Sequence, residues 1–209
     1  MTKGLEQYLK KYKSEIRIGR NGAIVMNCNP YTLGHDYLIE TAAEQVDNLY
    51  IFVVEEDKSF FSFKDRYKLV KENTKRFNNV IVVPSGDMIL SANTFGAYFV
   101  KEEYCDIKVD ASGDLKLFGL AVAPFFNITT RFVGEEPFDK VTLQYNDSML
   151  AQLPAYGVDV KVIPRKKNDE KEIISATSVR KLLKEQNWDA IAKFVPEITY
   201  EYLKQNFSK

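Results

Sequence analysis

The residues with the clearest capacity for chemistry sit in one short stretch, Asn29-Pro30-Tyr31-Thr32-Leu33-Gly34-His35, which holds the only histidine of the chain. A histidine that donates from a ring nitrogen, or carries a proton, can stabilise charge building on a phosphoryl oxygen. Thr32 adds a hydroxyl. Gly34 lets the backbone approach a bulky anion because no Cβ intervenes. The second stretch is Ile174-Ser175-Ala176-Thr177-Ser178-Val179-Arg180. There Ser175 or Thr177 can cap a helix, and Arg180, one turn in, can make forked hydrogen bonds to phosphate oxygens. Both stretches predict a helix start, where unpaired backbone amides and a positive dipole end favour an anion. Two such starts could clamp a polyphosphate from both sides.

The elements that must carry these residues read as alternating strands and helices. Residues 4–16 have helical spacing. Residues 22–26, 49–54, 80–83, 131–133 and 158–163 are apolar or β-branched runs of strand length. Helices are predicted at 34–46, 62–77, around 94–103, at 114–126 and 140–150, and over 178–185, 187–194 and 196–206. Ser62 followed by Asp65 suggests a capping box with aspartate in the usual glutamate place. The alternation predicts an α/β domain whose parallel sheet is covered on both faces, with a helical C-terminal segment. A lead-in helix over 1–20 and a single domain over 21–209 are expected, and no internal linker divides them.

Composition narrows the partners. Lys plus Arg equal Asp plus Glu at 29 each, so no global field favours nucleic acid or an anionic membrane. Cys28 and Cys105 form no CxxC pair, which argues against a zinc site or disulfide framework. Residues 1–20 carry no apolar core of signal-peptide length. The most apolar run, 115–126, is too short to span a bilayer. The expectation is a cytoplasmic protein with no membrane partner and no protein-bound metal.

The first stretch resembles the HxGH signature of the nucleotidylyltransferase superfamily, with threonine in the first histidine position. The second resembles the ISSTxIR motif that accompanies it. Further segments are similar to the C-terminal catalytic domain of [citrate (pro-3S)-lyase] ligase over about residues 20–185. These include Gly22 to Asn27, Phe52-Val53-Val54, Asp65-Arg66, Thr94-Phe95, Asp114-Leu115-Lys116, Arg131-Phe132-Val133-Gly134 and Gln144-Tyr145-Asn146. The resemblance implies a Rossmann-like (HUP-type) fold and an enzyme that uses ATP, with phosphate-bound Mg²⁺, to adenylate acetate and release pyrophosphate. The acetyl group would then pass to the prosthetic-group thiol of the citrate lyase acyl-carrier subunit. It implies catalytic roles for Thr32, His35 and Arg180, and nucleotide contacts for Asn27, Asn29, Gly34, Gly134, Glu135, Ser175 and Thr177. Arg66, Lys101 and Lys116 are candidates on the acceptor side, as is Asn29. Tyr145 and Asn146 are substrate-side or adenine-side by resemblance alone. Two other readings stay open: a nucleotidylyltransferase acting on a different small carboxylate or phosphate ester, and a non-catalytic nucleotide-binding module.

Overall fold

The structure, a computed structural model, describes residues 3–99, 108–166 and 173–208. Its centre is a five-stranded, wholly parallel sheet of order β3-β2-β1-β4-β5. The strands are β1 (Asn21–Met26), β2 (Asn48–Val53), β3 (Val80–Pro84), β4 (Ile128–Gly134) and β5 (Asp159–Ile163). The chain starts at the middle strand, runs out through β2 and β3, and returns to lay β4 and β5 on the other side. The order therefore reverses between β1 and β4, and a crevice opens beyond their carboxyl ends.

The period of two along β2 distributes its side chains between two cores. Tyr50 and Phe52 enter one, and Leu49, Ile51 and Val53 the other. The first core is covered by α1 (Lys3–Lys11), through Leu5, Tyr8 and Leu9, and by the helices between β3 and β5. The second lies under α2 (Leu33–Ala43) and α3 (Phe63–Thr74). A third cluster gathers the C-terminal helices around Phe61.

Three local readings are refined. Ser62 caps α3 by accepting from Asp65 N–H, but the Asp65 carboxylate bonds the Ser62 hydroxyl. Aspartate is one methylene shorter than the glutamate that normally reaches back to the cap backbone. The helix expected around 94–103 is a four-residue α4 (Ala92–Phe95) running into a 3₁₀ turn at Gly96–Phe99, and its remainder lies outside the described residues. The 114–126 helix is broken into α5 (Ser112–Leu117), a π turn at Phe118–Val122 and α6 (Ala123–Phe125). Pro124 has no N–H to continue an α ladder, which accounts for the insertion. Gly119 in that turn lies against Tyr156, whose ring a Cβ would overlap. The chain then continues through α7 (Lys140–Gln152), β5, α8 (Ala176–Lys184), α9 (Trp188–Ile191) and α10 (Glu197–Phe207).

The C-terminal helices hold the start of α2 in place. Leu33 N–H donates to Phe194 O at 2.9 Å, and Asn73 on α3 donates to Thr199 Oγ1 at 3.1 Å. No helix among the described residues is long and apolar enough to cross a membrane.

Candidate active site

β1 ends at Met26, and the chain turns through Cys28, whose φ of 51° is unusual for a residue with a side chain. It then passes the Asn29–Pro30 cis bond and enters α2 at Thr32. Thr32 and His35 cap that helix reciprocally. The Thr32 hydroxyl accepts from His35 N–H, while Thr32 N–H donates to His35 Nδ1 at 3.0 Å. The hydroxyl also lies 2.9 Å from Nδ1. Because Nδ1 receives the Thr32 N–H, it must be unprotonated, and the neutral ring carries its hydrogen on Nε2. Burial, and then the neighbouring Arg165 guanidinium, push the imidazolium down to about 4, so the ring is neutral near pH 7. Of the two roles open to His35 in the sequence, the neutral Nε2–H donor is the one its surroundings favour.

Thr32 itself is 1% exposed, and its hydroxyl is engaged with His35. It orients the imidazole rather than reaching an anion. Gly34 also has a task different from the one its type suggested. A Cβ there would lie 3.3 Å from Ile174 O, so the missing side chain lets the second motif pack against the first. Its φ needs no glycine.

The second motif opens α8. Ser175 is the cap and accepts from Ser178 N–H at 3.0 Å. Thr177 lies one residue inside the helix and accepts from Arg180. Arg180, half-buried, donates to Asn29 O at 2.6 Å and Thr177 Oγ1 at 3.0 Å. One of its five N–H groups thus ties α8 to the β1–α2 turn and one bonds within α8, and the others remain for a ligand.

These pieces line one open cleft of ≈ 1160 Å³ at the carboxyl ends of β1 and β4. Asn27, Asn29, Thr32, Gly34, His35, Gly134, Glu135, Ser175, Thr177 and Arg180 all border it. The backbone amides of Gly34, Ala176 and Thr177 face it without a protein partner among the described residues. Asn29 Oδ1 accepts from Phe61 N–H and Asn27 bonds Ser59, so both amides also brace the turn.

Three cations there were not singled out in the sequence: Lys58, Arg165 and Lys166. Arg165 pairs with Glu136 and donates to Glu135 O. Arg165-Lys166 follow β5 after Pro164, and once the sheet order is known the carboxyl end of that strand faces the crevice. With Arg180 the three make four cations in the lining, beside three carboxylates, Glu135, Glu136 and Asp139.

The acceptor-side candidates scatter. Arg66 is corrected: it is fully buried and donates to Phe61 O, Asn27 O, Asn27 Oδ1, Val54 O and Glu56 O. A guanidinium on α3 facing the interior ends of two strands finds carbonyls, not ligand. It props the Asn27 turn. Lys116 is exposed on α5 and does not border the cleft. Lys101 lies outside the described residues. Tyr145 is buried, stacked on Phe95, and donates to Asp114 Oδ2 at 2.5 Å. Asn146 donates to Gly134 O at 3.0 Å. Both line a second, smaller cavity behind the cleft. Among the described residues no group of three or more His, Cys, Asp or Glu could hold a metal.

Among solved structures, the chain is similar to Thermotoga maritima TmcAL bound with alpha-thio ATP, at TM-score 0.53 and 15% identity. That match covers 89% of this chain and 55% of the other. It is also similar to Plasmodium falciparum nicotinic acid mononucleotide adenylyltransferase complexed with APC, at TM-score 0.55 and 15% identity, covering 90% and 96%. These likenesses show that the fold is the Rossmann-like one expected from the sequence. In sequence, 198 residues are 41% identical to the [citrate [pro-3S]-lyase] ligase of Haemophilus influenzae, covering 92% of this chain. The chain spans about three fifths of the length of the curated ligases it matches. The family model described as citrate lyase ligase C-terminal domain matches residues 21–203, and the chain belongs to that family.

Proposed function

We propose that the cleft binds ATP and transfers its adenylyl group to a short carboxylate, acetate, releasing pyrophosphate. The prosthetic-group thiol of the citrate lyase acyl carrier then attacks the acetyl carbonyl, the acyl–oxygen bond breaks, AMP leaves with its electron pair and the thiol proton passes to solvent. The observation that carries this reading is the convergence of two helix starts, whose three amides have no protein partner among the described residues, and four cations on one cleft at the β1–β4 switch. Such a site is built for a triphosphate and its leaving group.

In the reaction a carboxylate oxygen forms a bond to the α-phosphorus as the bond to the bridging α–β oxygen breaks, and pyrophosphate departs with that electron pair. No proton needs to move in this step. Catalysis is therefore positioning and charge neutralisation. His35 Nε2–H donates to a phosphate oxygen. The amides of Gly34, Ala176 and Thr177 hold others, and Arg180 with Lys58, Arg165 and Lys166 offsets the charge. Mg²⁺ would supply further neutralisation when bound, held by the phosphates and water rather than by side chains of this chain. The donor set fits that arrangement, because Glu136 is taken by Arg165 and Asp139 by Thr142 N–H. The isolated cysteines fit a reducing cytoplasm.

The test supplies ATP and Mg²⁺ with a panel of carboxylates and phosphate esters and follows pyrophosphate. Acetate-dependent release is the expected result. Release only with a phosphate-ester acceptor would refute the acetate assignment, and nucleotide binding without turnover under every condition would refute catalysis.

A further inference from the structure

Behind the cleft, between the carboxyl halves of β1 and β4 and beneath α7, lies a small cavity of ≈ 100 Å³. It is smaller than the roughly 300–1,000 Å³ that drug-sized ligands occupy, so a nucleotide does not fit. Its walls include Ile24, Leu90 and Met149, which are apolar, together with Asn146 and Arg131.

Arg131 is the unusual member. It is 1% exposed, and its Nε and Nη1 are buried with no hydrogen-bond partner. Its guanidinium carbon sits 4.5 Å from the centre of the Phe118 ring. Among the described residues no ion pair satisfies it. The guanidinium meets the Tyr145 hydroxyl, and that hydroxyl donates to Asp114, whose other oxygen accepts from Leu90 N–H at 2.6 Å, so Nε and Nη1 of Arg131 are still left over. Arg66, equally buried, has five acceptors. A buried guanidinium with idle N–H groups is costly unless an anion completes it. The cavity beside it has room for only a few atoms, and its apolar walls suit a methyl or ethyl group.

The cavity also opens toward the reacting end of the cleft. Val25, Leu38, Tyr98, Gly134 and Thr142 border both spaces. At Gly134 the nearest atom to a hypothetical Cβ is Leu38 Cδ2 at 3.9 Å, so Gly134 itself leaves room where the two spaces share a wall.

We infer that this cavity seats the short aliphatic monocarboxylate that the cleft adenylylates, with Arg131 as its counter-ion. The inference rests on the adenylyl-transfer reading and adds to it the place and the charge that hold the acceptor. The carboxylate lies where the two spaces meet, with one oxygen toward the α-phosphorus. That oxygen bonds phosphorus, the bond to the bridging oxygen breaks, and pyrophosphate carries the electron pair away. The walls limit chain length, so acetate and propionate are accepted and butyrate and benzoate are not.

The experiment is ATP–pyrophosphate exchange driven by each carboxylate, in the wild-type chain and in Arg131→Lys and Arg131→Gln. The expected result is exchange with acetate. Arg131→Gln should raise the acetate KM about 100-fold, the loss typical of a buried charge-assisted contact, and leave ATP affinity unchanged. Lys should recover part of it. The wild-type protein gives a second readout should the variants fail to fold. With [methyl-¹³C]methionine, the Met149 methyl signal should shift on adding acetate in the presence of α,β-methylene ATP. Exchange with acetate in folded Arg131 variants at unchanged KM would overturn the inference, as would an unmoved Met149 signal at acetate concentrations that saturate exchange. Absence of exchange with every carboxylate in the wild type would instead overturn the adenylyl-transfer reading.

Discussion

The state of His35 can be measured without ambiguity, because the chain has no other histidine. Burial and Arg165 hold its imidazolium down from 6.5 to about 4. That difference corresponds to about 3 kcal/mol of preference for the neutral ring. An NMR titration of the imidazole should show a midpoint near 4, and long-range ¹H–¹⁵N correlations should place the hydrogen on Nε2. Replacing Arg165 by Gln should move the midpoint upward, since the lost charge disfavours the imidazolium. Stability follows with a definite sign. Above pH 6.5 the ring is neutral in both folded and unfolded chains, and His35 adds no pH dependence. As pH falls from 6.5 toward 4 the unfolded chain takes up a proton that the folded one refuses. The stability present above 6.5 is therefore lost at up to about 1.4 kcal/mol per pH unit and levels off below about 4. Denaturant melts of wild type and His35→Gln should differ by that slope. A midpoint above 6, or a hydrogen on Nδ1, would refute the reasoning, because the Thr32 N–H could not then donate to Nδ1 as the cap requires.

Other outcomes follow from the same geometry. Thr32→Val removes the hydroxyl that braces His35 and half of the α2 cap. It should cost about 1 kcal/mol in a thermal melt and lower kcat more than it raises the KM for ATP. Gly34→Ala forces the Ile174 carbonyl to give way by a few tenths of an ångström. It should weaken ATP binding, read by calorimetry, with only a small change in Tm. Arg66→Met takes the guanidinium donor from four backbone carbonyls, those of Asn27, Val54, Glu56 and Phe61. It should destabilise the fold by on the order of 4 kcal/mol, seen as lost soluble yield, whereas an ordinary acceptor-binding residue would lower activity alone.

Much of this was legible in the residues. The apolar strands and intervening helical spacings give the parallel sheet, and the two helix starts fall where the motifs place them. What one-dimensional reading misses is which partner each polar group meets. Thr32 and Gly34 were expected to face an anion, yet each first serves the protein, one holding a ring and the other admitting Ile174. Arg66 sits on a helix face that turns inward at the strand ends, a fact set by how α3 packs. Arg131 lies within a β4 segment, where alternation alone does not say that its guanidinium lacks a partner. Arg165 and Lys166 fall outside both motifs, and the end of β5 is seen to reach the crevice only once the sheet order is known.

The central claim is that a carboxylate oxygen attacks the α-phosphorus of ATP in this cleft. [¹⁸O₂]Acetate with ATP, Mg²⁺ and hydroxylamine as acyl acceptor tests it directly. One labelled oxygen should appear in AMP and none in pyrophosphate, with acetohydroxamate formed in equal amount. Unlabelled AMP, or label carried by inorganic phosphate or pyrophosphate, would contradict the account.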